Sequence, residues 1–167
     1  MHKFTAQALE RMGIDGRGFT SRRLTARDVE ESDLVLTMTA QHRAEVLGLA
    51  PRRLRRVFTL VEAAALSEAV DRDHLAHLAP GDRGPALADA LADGRAMRHG
   101  RPRQDEDILD PVSMPASVHA EVVDRIADTL RSIPLLSGRA PGDRSLEQVS
   151  APGRDPRRPR PPFGEPD

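Results

Sequence analysis

Apolar positions recur at helical spacing from the first residues of the chain. Phe4, Ala8, Leu9 and Met12 fall on one face, and Gly13-Ile14-Asp15-Gly16 stops that predicted helix. Thr25 to Asp28 has the form of a capping box opening one or two helical turns. Asp33 to Met38, DLVLTM, is instead a short continuous apolar run, which predicts a buried strand. Thr39 is placed to cap a helix from Ala40 to Leu49, and Pro51 forbids its continuation. Arg56 to Leu60, RVFTL, is a second buried-strand candidate, with helix after it from Val61 to Ala69.

Further helical stretches are predicted around Asp73 to Leu78 and over Pro85 to Met97, with a polar loop from Arg98 to Asp110. Ser113 and Pro115 stand where an N-cap and an early helical residue belong. Val118, Val122, Val123, Ile126, Leu130 and Ile133 form the strongest amphipathic pattern in the chain, ended by Pro134. Two strands alternating with helices indicate an α/β domain with a parallel sheet. Two strands are few for so many helices, so the sheet reads as incomplete.

Composition changes the picture at the C-terminal end. Half of the 14 prolines lie beyond Ser137, with glycines and scattered Arg and Asp. Such a segment buries too little apolar surface to offset its ordering entropy. The expected organisation is therefore a domain over 1–136 and a disordered tail over 137–167. The tail's RRPRPP, Arg157 to Pro162, has the composition of a polyproline II ligand for a protein partner, or of a solvated tail.

Charge and residue usage exclude several classes. The net charge is −1 with both signs mixed, so no basic face is expected to draw nucleic acid. No apolar run is long enough to span a bilayer. Met1 to Glu10 lacks the apolar core of a signal peptide, so a cytoplasmic protein without a leader is expected. The chain has no cysteine, which excludes disulfides, thiolate metal sites and a thiolate nucleophile.

Several segments, taken in order, resemble the low-molecular-weight protein tyrosine phosphatase family. GIDGRGFTSRRLT, Gly13 to Thr25, is similar to that family's Gly-Ile-Asp…His-x-x-Arg-x-Leu stretch. SDLVLTMTAQHR, Ser32 to Arg43, resembles its third strand and following turn, and LAPRRLRRVFTL, Leu49 to Leu60, its fourth strand. DILDP, Asp107 to Pro111, resembles its Asp-Pro loop, followed by the final long helix. The resemblance implies a partial three-layer, Rossmann-like α/β fold with the first two strands missing. The absent part would include the central first strand and the Cys-x-x-x-x-x-Arg-Ser/Thr phosphate loop. Phe19 stands where relatives carry His, and Val112 where an aromatic residue follows the Asp-Pro pair.

By the same resemblance, Asp110 corresponds to the general acid that protonates a departing phenolate. Pro111 holds that carboxylate on a loop. The substrate implied for a full-length relative is a phosphotyrosine protein, with no cofactor and no metal. Dephosphorylation by the covalent route needs a thiolate, an anion cradle and an acid. The chain retains only the acid, so it is expected to be inactive alone. An arsenate reductase of the same fold needs a thiol as well, whereas a non-catalytic binding or regulatory module does not.

Other candidates have plainer readings. Ser113 and Thr39 carry hydroxyls but read as helix caps. Arg52, Arg53, Arg55 and Arg56 read as a solvated face before a strand. His74 and His77 share a helical face beside Asp71 and Asp73, a pattern that suits a divalent metal only with a third ligand. His42 and His119 read as ordinary surface or helix residues. Without its first strands the domain is expected to expose an edge at Leu34 to Met38. The apolar faces of the Phe4–Met12 and Val118–Ile133 helices are expected to be uncovered, leaving marginal stability and a tendency to associate.

Overall fold

The computed structural model of the protein describes residues 2–98 and 107–135. The predicted tail over 137–167 and most of the predicted loop after Arg98 lie outside the described residues.

Two strands form the sheet: β1, Val35–Thr37, and β2, Val57–Thr59. They are parallel, with Val35 opposite Val57, Leu36 opposite Phe58 and Thr37 opposite Thr59. The two-residue period of a strand then sorts their side chains. Val35 and Val57 join Val29, Val46, Leu47 and Ala50 on one face, under α2, Ala26–Glu31, and α3, Ala40–Leu49. Leu36 and Phe58 turn to the other face. There they pack with residues of α4, Leu60–Ser67, α5, Arg72–His77, α6, Pro80–Met97, and α7, Ala116–Ser132. Helices therefore cover both faces of a small parallel sheet, a partial Rossmann-like arrangement.

Local chemistry explains most of the boundaries. Thr25 accepts from the Asp28 amide while the Asp28 carboxylate accepts from the Thr25 amide, the predicted capping box. Thr39 and Thr59 each end a strand region and cap the next helix, accepting from the His42 and Glu62 amides at 3.1 Å. The first helix, α1, spans Lys3–Arg11 and closes at Gly13, whose φ of +74° is easily reached only without a Cβ. Gly18, at φ +82°, takes the corresponding role in a turn where Phe19 N–H donates to Gly16 O.

Three expectations are corrected. α6 begins at Pro80 rather than Pro85 and carries Pro85 in its second turn. The bond that proline forfeits would have gone to Gly81 O, on an exposed turn. Ser113 is not the cap of α7. Pro115 occupies that position, with no side-chain cap bond, and its fixed φ of −62° leads into the helix.

The third correction concerns the helix faces expected to be bare. α1 packs directly on α7. Ala8 is buried, Val122 reaches the main core, and Val118, Ile126 and Leu130 pack against it. At the contact His119 is fully buried, with its Nδ1 2.9 Å from Thr5 Oγ1. The His2 ring stacks on it at 4.5 Å and Phe4 meets both rings edge-on. α7 thus lays Val118, Val122, Ile126 and Leu130 on the main core and meets α1 at His119.

Candidate functional site

In a parallel α/β sheet, ligands bind outside the carboxyl ends of the strands. Here those ends are Thr37 and Thr59. Thr37 Oγ1 donates within 3.2 Å of both Phe58 O and Thr39 O, tying the two strand ends together. The amino ends of α3 and α4 begin immediately beyond.

The segment carrying Asp110 docks at this edge. Ile108 N–H donates to Met38 O at 2.8 Å, just past the end of β1, and the Ile108 side chain is buried in the main core. The Asp107 carboxylate accepts from the Ala40 amide at 2.7 Å, at the first turn of α3. Asp110 itself is exposed, and its Oδ1 accepts from Val112 N–H at 3.1 Å. Met114 N–H then donates to Pro111 O, completing a tight turn ahead of α7. The result is an exposed carboxylate on a pinned loop beside the carboxyl end of the sheet. Leu109, Val112 and Met114 form an exposed apolar border on the same loop. Such a group can give a proton to, or take one from, a molecule bound at the strand ends.

The other residues singled out in the sequence fall elsewhere. Phe19 is 63% exposed and Val112 61% exposed. Arg22, the arginine of the Arg-x-Leu stretch, forks onto Asp28 with bonds of 2.7 and 2.8 Å. That fork, with the Thr25 hydroxyl and amide, holds the Asp28 carboxyl well below the usual carboxylate range. Asp15 is likewise lowered, chiefly by its side-chain hydrogen bond from Arg17. These are structural clamps on the surface.

Within the arginine cluster Arg52 and Arg55 are exposed, as a solvated face requires, while Arg53 and Arg56 are half-buried. Arg55 pairs with Asp93 at 2.8 Å, Arg56 donates to Pro85 O and reaches Asp89, and Arg53 donates to Ser32 O. The 3-10 segment Pro51–Arg56 is thereby laced to α6, whose acidic residues lie within reach. His74 and His77 are exposed, and His77 Nδ1 lies 2.6 Å from Asp73 O. Among the described residues no group of three or more His, Cys, Asp or Glu converges to hold a metal. His42 is an exposed residue of α3, but His119 is a core residue, and its Nε2 is buried without a partner.

Two arrangements were not legible in the sequence. One is the Asp107 contact with Ala40, 67 residues away. The other is Arg95, which forks onto Glu62, donates to Leu54 O and Val57 O, and lies 3.9 Å over the Phe58 ring. Neither has a local signal, since each joins elements far apart in the chain.

Residues 1–79 match the family model described as low molecular weight phosphotyrosine protein phosphatase. That range includes both strands and ends before Asp110. No curated protein and no solved structure matches the chain. Among the described residues no helix is long and apolar enough to cross a membrane.

Proposed function

We propose, from the premise that residues 1–79 are low-molecular-weight phosphatase sequence, that this chain carries the general-acid side of a phosphotyrosine phosphatase site and is catalytically silent by itself. The observation that supports this most directly is the docking of the Asp107–Pro111 loop at the carboxyl end of β1. Asp110 is exposed, with no ion pair among the described residues, and the fold class binds its ligands outside the carboxyl ends of its strands, which supports the reading. In that role Asp110 would protonate the phenolate leaving group and then activate water. The chain has no cysteine to supply the attacking thiolate, and the Thr5 hydroxyl that meets the His119 imidazole does so at the α1–α7 contact, with His119 fully buried. The substrate class is a phosphotyrosine protein, and the site of action is the cytoplasm.

The test is hydrolysis of an aryl phosphate by the 167-residue chain and by D110N. Both are expected to give the background rate. A robust rate in the chain that drops in D110N would overturn the reading of silence.

A second reading, a non-catalytic binding module of the same fold, is favoured by the closure of α1 on α7. A chain whose described helices cover one another can serve as a folded surface without chemistry. The Pro/Arg-rich segment Arg157 to Pro162 is then the proposed site for a protein partner. Sedimentation and thermal unfolding distinguish it: a clean monomer with a sharp transition favours the module.

A further inference from the structure

We propose that Asp107 is the positioning residue for Asp110, acting through a single hydrogen bond to the backbone of α3; the inference rests on the reading of Asp110 as a proton donor. Among the described residues the loop meets the sheet edge with one main-chain bond, Ile108 N–H to Met38 O. One bond leaves the following residues free to swing about it. The Asp107 carboxylate adds a second anchor at Ala40 N–H, two residues further along the chain from Met38. The buried Ile108 side chain, 2% exposed, is the third. Three anchors on adjacent residues define the direction in which the chain leaves toward Leu109 and Asp110. Pro111 and the Asp110–Val112 contact then narrow what remains.

The plainer role for Asp107 is that of a helix cap. α3 already has one, because Thr39 Oγ1 accepts from His42 N–H at 3.1 Å. The Ala40 amide lies in an exposed first turn, where water would satisfy it at little cost. What the carboxylate adds is therefore a tether from the loop to the helix. Asp107 would touch no substrate.

The bond can be cut from either side. D107A removes the acceptor. A40P removes the donor at the first helical position, where proline is favoured, and Thr39 at φ −139° and ψ 160° already has the extended geometry that a residue before proline requires. D107N keeps an acceptor oxygen without the charge. The measurement is 15N relaxation on the whole chain, with the 13C shift of the Asp110 carboxyl.

Leu109 and Val112 are expected near an order parameter of about 0.85 in the parent chain and in D107N, falling below about 0.6 in D107A and A40P. The Asp110 carboxyl shift should move with them and Phe58 should remain rigid. Unchanged values at Leu109 and Val112 in both D107A and A40P would overturn the proposal, as would equal loosening in D107N. Loss of order at Phe58 in every variant would overturn it too, by making Asp107 a residue of the fold alone. None of these readouts uses activity, so they stand apart from the hydrolysis test of Asp110.

Discussion

Replacing Arg95 with Met should cost more stability than any other single charge removal among the described residues. Its guanidinium bonds both Glu62 carboxylate oxygens, at 2.6 and 2.7 Å, and two main-chain carbonyls, Leu54 O and Val57 O, at 3.0 and 2.9 Å. The side chains of Arg95 and Glu62 are only 18% and 14% exposed. Met fills much of the space over Phe58 but leaves the Glu62 carboxylate without its counter-ion. Breaking a buried pair in this way costs about 3–5 kcal/mol, a large share of a net stability of about 5–15 kcal/mol.

The partner variant is predicted to be milder. E62Q keeps an acceptor for one N–H, and the guanidinium keeps its two carbonyls, so a loss of about 1.5–3 kcal/mol is expected. Because both variants break the same contact, the double variant should fall short of the sum by at least about 1 kcal/mol. Arg55, whose pair with Asp93 is 59% and 62% exposed, is the control, and R55A should cost about 1 kcal/mol or less. The chain has no Trp or Tyr, so urea unfolding is best followed by circular dichroism. With an m-value of about 1–3 kcal/mol/M, R95M should move the midpoint by about 1 M or more at constant m. A midpoint matching that of R55A, or strict additivity in the double variant, would refute the reasoning.

Two further outcomes follow from the same structure. The Asp28 carboxyl is depressed by Arg22 and Thr25, so its contribution to stability is complete above the unfolded value of about 3.9 and is lost as pH falls below it; R22A should raise the Asp28 titration midpoint in 13C NMR and flatten that acid limb. A Cβ at Gly84 would stand 2.8 Å from Asp33 Oδ2 and 3.2 Å from Asp33 Cβ. Asp33 is exposed and its carboxylate can turn aside, so the helix-propensity gain of about 1 kcal/mol should leave the thermal midpoint of G84A unchanged or raised, and a fall of several degrees would contradict this.

The parts of the fold that could be read in the sequence are those set by local chemistry. The runs at Asp33 to Met38 and Arg56 to Leu60, the Thr25 box and the Thr39 cap each signal through neighbouring residues; a strand lies within each run, and both caps are found where expected. The start of α6 was hidden because Pro80-Gly81-Asp82-Arg83-Gly84-Pro85 has the composition of a turn. Ser113 had the right residue type, but the turn from Pro111 to Met114 brings the chain into α7 at Pro115 instead. For the candidate site, Asp110 was visible through its Asp-Pro pair, while the contacts of Asp107 and Arg95 depend on tertiary proximity that no local pattern encodes.

The contact between Thr5 and His119 joins residues 114 apart, whereas β1 and β2 pair across a separation of only 22. A ribosome delivers these partners at very different times. The sheet and its covering helices α2 to α4 can assemble while the second half of the chain is still being made. α1 is made well before α7 and cannot dock on it until α7 has been synthesised. Until His119 arrives to receive it, α1 is an amphipathic strip without its α7 partner, available to a chaperone or a neighbouring chain.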